Sequence, residues 1–413
     1  MERLFHEKGM NWGEIEKTLN SYRKDDIDWK RGRVPMYVFY ADDDISEIAK
    51  KSYMMFFTEN SLGYRAFPSV AKLESEVISM VAQILNADSG VVGNMTSGGT
   101  ESIFMAVKTA RDWARKLRPE ITAPELVLPR TAHPAFNKAA HYLSMKVKRV
   151  RESSNFRADI SAMKEAISDN TIMIVGSAPT FPHGVIDPID EIGKLASKRD
   201  LWFHVDACVG GFLAPFVRKL GYPVPDFDFS IPAVTSISAD LHKYGFTAKP
   251  ASTILYRNED YHQYQSFTFD EWPRGLYKTQ TFPGTRPSGS VAAAWAVMKY
   301  LGESGYLKIA EKIMNIRKAL INGIKAIPGL KICGDPDLSI IGFGSDIIDI
   351  HAVGDVMAKK GWFVARNVEP PSLTHMLMPI HEVMIDDYLR DLAESVMKVC
   401  GEKVVAEKRE VIY

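Results

Sequence analysis

Hydrophobic residues recur with two different periods between about residues 70 and 300, and the two periods alternate along the chain. Two segments have the spacing of a helix with one buried face: Leu73, Val77, Met80, Val81 and Ile84, then Ile103, Val107, Ala110, Ala114 and Leu117. Weaker helical patterns lie near 134–144, 159–168 and 188–199. Short runs typical of strands separate these segments: 90–95, 125–128, 146–150, 171–175, 201–205, 234–238 and 252–256. The alternation predicts an α/β domain with a mostly parallel sheet that is covered by helices on both faces.

The pattern changes after Gly302. Helical periodicity is found near 303–326, 351–360 and 384–400. Shorter runs lie between these segments, at 329–333, 340–344 and 375–380. This order predicts a smaller C-terminal α+β domain.

The first 58 residues mix short helical patterns with a polar, turn-prone stretch at 40–44, which is typical of an arm rather than a domain. The Pro-rich segment 282–287 reads as a loop between the two larger units. We therefore expect an arm at 1–58, a large domain at 59–302 and a small domain at 303–413.

Charge and composition exclude several classes of protein. The 413 residues carry 51 Lys and Arg against 51 Asp and Glu, and this balance disfavours nucleic acid or an anionic membrane as the main partner. The longest clean apolar stretch, 291–298, is much shorter than the ~20 residues of a membrane span. The charged N-terminus does not resemble a signal peptide.

Three scattered cysteines, Cys208, Cys333 and Cys400, form neither a disulfide framework nor a metal-binding motif, so we expect no metal site. Lone cysteines fit a reducing compartment, and we expect a soluble, cytoplasmic protein.

A segment of small residues, Thr96-Ser-Gly-Gly-Thr-Glu-Ser102, stands between an apolar run and an amphipathic helix. The first N–H groups of a helix have no partners within it, and the helix dipole attracts an anion. Ser97, Gly98, Gly99 and Thr100 therefore have the outline of a phosphate cup. No Lys follows the second glycine, so the segment is not a Walker A loop. The alternative is an ordinary helix start with Thr96 or Ser97 as the N-cap.

Three further residues lie where strands end or helices begin. Asp206 follows an apolar run and is predicted to lie near the carboxyl edge of the sheet, where a carboxylate favours a cationic partner; alternatively, it caps the next helix. Lys243, flanked by aromatic and small residues, suits Schiff-base chemistry, although it is equally read as a surface lysine. His133 can cover one face of an aromatic ligand, whereas most single histidines are structural.

Together, and in this order, the four features match the needs of a phosphorylated pyridine aldehyde. The cup holds the phosphate, His133 stacks on the ring, Asp206 keeps the ring nitrogen protonated, and Lys243 forms the imine. The sequence therefore predicts that the protein depends on pyridoxal 5'-phosphate.

The motifs that carry a family resemblance are Asn94-Met-Thr-Ser-Gly-Gly-Thr-Glu-Ser102, His133-Pro-Ala-Phe-Asn-Lys-Ala-Ala140, His204-Val-Asp-Ala207, Ser238-Ala-Asp-Leu-His-Lys-Tyr-Gly245 and Pro283-Gly-Thr-Arg-Pro287. They resemble the sphingosine-1-phosphate lyase branch of the group II pyridoxal-phosphate-dependent decarboxylases. Relatives that decarboxylate amino acids more often carry Trp where this chain has Tyr244.

The resemblance implies pyridoxal-phosphate fold type I, which is the fold of aspartate aminotransferase, and a homodimer with shared active sites. It also implies that His242 lies beside Lys243, near the cofactor phosphate. Thr285 stands where the family has Ser, at a phosphate contact made from the partner subunit.

The substrate end departs from the family pattern. Lys249 stands six positions after Lys243, as does a lysine that holds the substrate phosphate in this branch. The family's other phosphate ligands are a Tyr and a His on the partner's arm, whereas Phe39 and Gly63 occupy those positions here. The residues that compensate are expected among Tyr40, Tyr64 and Arg65, since an Arg suits a phosphate or a carboxylate.

Three functions are therefore compared. The first is a carbon–carbon lyase that cleaves a phosphorylated or otherwise anionic amino alcohol to an aldehyde and an amine. The second is an amino-acid decarboxylase, and the third is a phosphate-binding module without catalysis. The pairing of Asp206 with Lys243 argues against the third.

Overall fold

The computed structural model describes residues 4–5, 7–402 and 404–406. The α-helices are α1 Trp12–Tyr22, α2 Asp43–Met55, α3 Pro68–Ile84, α4 Gly99–Leu117, α5 Ala135–Tyr142, α6 Ile160–Ala166, α7 Ile189–Lys198, α8 Ala214–Lys219, α9 Glu259–His262, α10 Ser288–Ala326, α11 Ile350–Lys359 and α12 Ile385–Glu402. The strands are β1 Val92–Thr96, β2 Glu125–Pro129, β3 Lys146–Val150, β4 Thr171–Ser177, β5 Trp202–Asp206, β6 Ser236–Ala239, β7 Ser252–Tyr256, β8 Phe267–Phe269, β9 Tyr277–Thr279, β10 Lys331–Ile332, β11 Ile340–Gly344, β12 Ala365–Val368 and β13 Pro371–Met376. Short 3-10 helices span Arg23–Asp25, Trp29–Arg31, Gln263–Gln265 and Pro379–Met384.

The large sheet confirms the predicted α/β class. It has seven strands in the order β1-β7-β6-β5-β4-β2-β3. Strands β3, β2, β4, β5 and β6 pair in parallel, and β7 runs antiparallel to both β6 and β1. Each strand-like run between 90 and 256 overlaps one of these strands. Helices α4 and α5 cover one face of the sheet, and α3, α7 and α10 pack on the other.

Four chain segments converge at one edge of this sheet. Since β1 and β6 are both antiparallel to β7, they point in the same direction, as do β4 and β5. Their carboxyl ends therefore lie at the same edge, which is where ligands bind in open α/β sheets. Thr96, Ser177, Asp206 and Ala239 are the last residues of these strands.

A second sheet lies in the C-terminal part, with the antiparallel order β10-β11-β13-β12. The helix predicted at 303–326 is the second segment of α10, which also has a first segment beginning at Ser288. Its helical path is broken at Gly302, where φ is 53° and ψ is −172°. Glycine fits this left-handed φ because it has no Cβ.

The domain boundaries stay a prediction. The turn-prone stretch at 40–44 includes Asp42, whose side chain caps α2 by accepting from the N–H of Ile45. No helix in the described part of the chain is long and apolar enough to cross a membrane.

Candidate active site

A cavity of ≈ 390 Å³ lies at this edge of the large sheet. The residues predicted for the cofactor site that line it are Ser97, Gly98, Gly99, Thr100, His133, Asp206, His242 and Lys243. Residues from four separate strand ends thus meet in one place, as the sheet topology requires. The other predicted site residues, which are Thr285, Lys249, Tyr40, Tyr64 and Arg65, are not among those lining this cavity.

Lys243 forms an ion pair with Asp240. Its Nζ lies 2.9 Å from Asp240 Oδ2, and the Asp240 side chain is only 1% exposed. Burial acts to lower the pKa of Lys243, but the charge of Asp240 outweighs this effect, so the pKa is raised. Burial likewise acts to raise the pKa of Asp240, but Lys243 and His242 keep it lowered. The amine is therefore held as an ammonium ion until Asp240 or a ligand takes its proton.

The next residue, Tyr244, anchors the lysine segment to the C-terminal part of the chain. Its hydroxyl lies 2.5 Å from Ser339 Oγ and donates to the carbonyl of Leu377 at 3.0 Å. The position of Lys243 is thus tied to the second sheet.

The phosphate cup is the N-terminus of α4, and the N-cap position is Gly98. Neither Thr96 nor Ser97 caps the helix, so the two residues expected as the N-cap in the alternative interpretation are wrong. A Cβ on Gly99 would lie 2.8 Å from Cys208 Sγ and 2.9 Å from Asp240 Oδ2. The backbone of α4 therefore approaches the floor of the cavity closely, and its first N–H groups are open to an anion.

Glu101 connects the cup to the loop that contains Thr285. Its Oε2 accepts from the N–H of Ser97 at 2.7 Å, and its Oε1 accepts from the N–H of Phe282 at 2.9 Å. Thr285 lines a neighbouring cavity of ≈ 770 Å³, which shares Ser97, Thr100 and Glu101 with the first.

Both histidines of the site have a defined tautomer. His133 Nδ1 accepts from the N–H of Ala135, and His242 Nδ1 accepts from the N–H of Ala251, each at 3.1 Å. Burial lowers the pKa of both rings, with Asp206 opposing the effect at His133 and Asp240 opposing it at His242. In the neutral rings the remaining proton is therefore on Nε2.

The His133 segment is held by Arg149 from β3. The Arg149 guanidinium donates to the carbonyls of Arg130 and Ala132 at 2.7 and 2.9 Å, and to Asn137 Oδ1 at 2.6 and 2.8 Å. Burial lowers the pKa of Arg149. This clamp fixes the start of α5, and with it the position of the His133 ring.

Asp206 is the last residue of β5 and is 8% exposed. Its Oδ1 accepts from the N–H of Cys208 at 3.1 Å and from Ser238 Oγ at 3.3 Å. These two donors orient the carboxylate at the wall of the cavity.

Two of the residues predicted for the substrate are already engaged. Tyr40 donates to Asp43 at 2.8 Å, and Tyr64 donates to Glu74 Oε2 at 2.6 Å. Tyr64 also accepts from Arg286, whose Nη1 lies 2.9 Å from Glu74 Oε1.

Arg65 and Lys249 differ from these two tyrosines because neither is bound to a carboxylate in the described part of the chain. Arg65 is exposed, and in the part of the chain that the structure describes its side chain makes no hydrogen bond or ion pair. Lys249 donates to the carbonyl of Tyr37 at 3.3 Å, and its Nζ lies 5.9 Å from the centroid of the Phe39 ring.

The sequence analysis assigned no role to Asp240 or Glu101. A signal existed for Asp240, because a carboxylate can pair with a lysine that follows it by three residues in the same turn. No local signal existed for Glu101, because its partner Phe282 is 181 positions away.

These residues fit pyridoxal phosphate. A glycine-lined helix start leaves room for a phosphate, a neutral ring lies on the wall, and a lysine and a strand-end carboxylate complete the set. The fold and the site define the class: the protein is an enzyme of pyridoxal-phosphate fold type I.

Comparison with known proteins identifies the family. The family model named Pyridoxal-dependent decarboxylase conserved domain matches residues 36–345. The chain therefore belongs to the pyridoxal-dependent decarboxylase family, and it is a pyridoxal-phosphate-dependent lyase.

Several of the similar proteins are sphingosine-1-phosphate lyases. Sphingosine-1-phosphate lyase of Arabidopsis thaliana is 45% identical over 398 residues, which are 95% of this chain and 73% of that protein. The protein of the same name from Oryza sativa subsp. japonica is 44% identical over 391 residues, which are 93% of this chain and 72% of that protein. The structure of the Burkholderia pseudomallei K96243 sphingosine-1-phosphate lyase matches with a TM-score of 0.92 at 32% identity, covering 98% of this chain and 94% of that chain.

Proposed function

We propose that the protein cleaves a phosphorylated amino alcohol of the sphingoid type to an aldehyde and a phosphorylated amine. The relatives named above carry that substrate class in their names. The observation within this chain that carries the proposal is Lys249, because its charge acts on the His242 ring of the cavity and no carboxylate pairs with it among the described residues.

Lys249 has the environment of an anion ligand. Its ammonium donates to the Tyr37 carbonyl and lies over the Phe39 ring, and in the described part of the chain no carboxylate forms an ion pair with it. Burial lowers its pKa, with no acidic group acting in the opposite direction. A cation whose charge is incompletely balanced in this way favours a phosphate as its counter-ion.

Each residue of the cavity has a distinct task in this reaction. Lys243 would carry the cofactor, Asp206 would bind its ring nitrogen, and His133 would cover its ring. The cofactor, when bound, supplies a protonated ring that accepts the electron pair of the broken carbon–carbon bond. The cup and the Nε2–H of His242 would hold its phosphate, which fixes the ring against rotation. Asp240 Oδ2 lies 2.9 Å from Lys243 Nζ and would keep the free amine protonated.

The proposal includes a homodimer in which Thr285 reaches the partner's cofactor phosphate. Thr285 and the segment 60–65 form one unit, since Asn60 Nδ2 donates to Thr285 Oγ1 at 3.2 Å and Ser61 N donates to the Arg286 carbonyl at 3.1 Å. Arg65 lies on this unit and would therefore approach the partner's substrate together with Thr285. We infer that Arg65, rather than Tyr40 or Tyr64, takes the place of the arm ligands that Phe39 and Gly63 do not supply.

A cytoplasmic location is also part of the proposal. The three cysteines, none of which forms a disulfide, support it.

The experiment is a comparison of Lys249→Ala with Lys194→Ala, measured with a phosphorylated sphingoid base and with the same base lacking its phosphate. Lys194 is a surface lysine on α7 that pairs with Asp190, so it is the matched control. Loss of one charged hydrogen bond, about 1.5–3 kcal/mol, corresponds to an increase of KM of about ten- to hundredfold.

We expect this increase only for Lys249→Ala, only with the phosphorylated base, and without a change in cofactor absorbance. An unchanged KM would remove Lys249 from the site. Steady release of CO2 from amino acids without any aldehyde would replace the lyase with a decarboxylase.

A further inference from the structure

A row of polar side chains crosses the face of the large sheet that α4 and α5 cover, and it ends at Asp206. Trp202, His204 and Asp206 alternate along β5, so their side chains share one face. Ser236 and Ser238 stand opposite His204 and Asp206 on β6. His204, Ser236 and Ser238 are 0% exposed.

Each member of the row is within hydrogen-bonding distance of the next. Trp202 Nε1 donates to Ser236 Oγ at 2.9 Å, and Ser236 Oγ lies 2.8 Å from His204 Nδ1. On the other side of the ring, His204 Nε2 lies 3.3 Å from Ser238 Oγ, which donates to Asp206 Oδ1 at 3.3 Å.

The direction of these hydrogen bonds follows from counting donors. An indole N–H can only donate, so Ser236 accepts from Trp202 and has one proton to give. If Ser236 gives it to His204 Nδ1, then His204 Nε2–H donates to Ser238, and Ser238 donates to Asp206. The opposite tautomer would leave the Ser236 proton without an acceptor and would take the Ser238 proton away from Asp206. Only the first arrangement satisfies every member.

The surroundings make this arrangement important. His204 lies against the edge of the Phe136 ring, with 5.8 Å between the ring centroids, beneath the apolar residues of α4 and α5. Burial lowers the pKa of His204 to about 4, so the ring is neutral and carries one proton at neutral pH. Cys208 Sγ, 3.3 Å from Ser238 Oγ, is a further donor to that hydroxyl. Ser238 therefore has both of its acceptor sites filled, and its proton is directed to Asp206.

We propose that His204, with Ser236 and Ser238, is a positioning residue that holds the Asp206 carboxylate in place for the ring nitrogen of the cofactor. The carboxylate loses rotational freedom and one lone pair to this row, which leaves its other oxygen for the nitrogen. The inference rests on the assignment of Asp206 to that nitrogen, which is itself part of the proposed function.

The test measures the affinity of the apoenzyme for two ligands, pyridoxal phosphate and its analogue with carbon in place of the ring nitrogen. Three variants are compared. Ser238→Ala removes the hydroxyl that donates to Asp206, and His204→Phe removes the donor and the acceptor of the ring. His204→Gln retains one donor and one acceptor. Thr235→Val is the control, because Thr235 is a buried hydroxyl beside β6 that accepts from the N–H of Phe203 and lies outside the row.

For pyridoxal phosphate we expect Kd to rise about tenfold in Ser238→Ala and His204→Phe, which is about 1.4 kcal/mol. His204→Gln should recover most of this loss, and Thr235→Val should match the wild type. For the carbon analogue all proteins should bind alike. In the loaded Ser238→Ala protein, the ¹⁵N chemical shift of the ring nitrogen should move toward that of the unprotonated ring.

The outcomes distinguish the assignment of Asp206 to the ring nitrogen from the role of the hydrogen-bonded row. If the wild-type protein binds both ligands equally, the assignment of Asp206 fails. If the wild type and Ser238→Ala prefer pyridoxal phosphate over the carbon analogue by the same factor, the row has no role. Equal weakening for both ligands would show that the row only maintains the fold. Should His204→Phe fail to fold, Ser238→Ala gives the same answer, since it removes a single oxygen.

Discussion

Replacing Asp240 with Asn tests the central ion pair of the site in the protein without cofactor. The two charges lie 2.9 Å apart, with side-chain exposures of 22% for Lys243 and 1% for Asp240. Asn has nearly the same shape as Asp but no charge, so the ammonium ion would lose its counter-ion within a buried setting. Such a group either remains charged at a high cost or releases its proton.

The release of the proton sets an upper limit on the destabilisation. An ordinary lysine has a pKa of about 10.4, so holding it neutral at pH 7 costs about 4.6 kcal/mol, at about 1.36 kcal/mol for each pH unit. Removing one partner of a buried pair typically costs about 3–5 kcal/mol, which agrees with this limit. At pH 9 the limit is only about 1.9 kcal/mol.

The sign of the pH dependence follows from the two pKa shifts. In the wild type the pKa of Lys243 is raised, so its contribution is fully present below the unfolded pKa and is lost only as the pH rises through the folded value. The pKa of Asp240 is lowered, so its contribution is lost only as the pH falls through the folded value. In Asp240→Asn the folded protein binds fewer protons than the unfolded chain, so the stability of the variant rises with pH.

Urea unfolding of the apoproteins between pH 7 and pH 9 measures this effect. We expect the free energy of unfolding of Asp240→Asn to lie about 3–5 kcal/mol below the wild type at pH 7, and no more than about 1.9 kcal/mol below it at pH 9. The double variant Asp240→Asn/Lys243→Met should recover most of the stability, because it removes both charges. A gap below about 1 kcal/mol, or one that does not change with pH, would refute the buried pair.

The remaining predictions concern the cup and the subunits. Gly99→Ala should destabilise the protein by about 1–3 kcal/mol and weaken cofactor binding, because its Cβ would meet Cys208 Sγ at 2.8 Å. Gly98→Ala is the matched control in denaturant unfolding: its nearest neighbour, His242 Cε1, would be 3.3 Å away and its φ of 164° is extended, so an equal loss of stability would contradict the reasoning. Mixing the inactive variants Lys243→Ala and Thr285→Val under conditions of subunit exchange should restore roughly a quarter of the activity, since half of the dimers are hybrids with one intact site. No recovery, despite hybrids detected by native mass spectrometry, would exclude a site shared between subunits.

The strands were predictable because their signal is local. A buried strand in a parallel sheet is a short apolar run, and each such run between 90 and 256 forms a strand. Element limits were less predictable. The helix expected at 303–326 matches the second segment of α10, whereas the first segment, which begins at Ser288, was not predicted; the two segments meet at a kink where Gly302 has a left-handed φ.

The grouping of the candidate cofactor residues was partly predictable for the same reason. Asp206 ends β5 and Lys243 follows β6, and a parallel sheet brings such ends to one edge. The substrate residues were less predictable. Tyr64 is hydrogen-bonded to Glu74, ten positions away, and this contact depends on how α3 packs against the segment that carries Tyr64.

The sequence by itself determined the α/β alternation, the cofactor and the order of the residues proposed to hold it, because these follow from hydrophobic period and from motifs within a few positions. Only the tertiary structure decided how those residues are charged and oriented. The ion pair of Lys243 with Asp240, the clamp of Arg149 on the His133 segment and the row from Trp202 to Asp206 join atoms on different turns and strands. Distance and burial set the pKa and direction of each hydrogen bond, and neither quantity exists until the strands are paired.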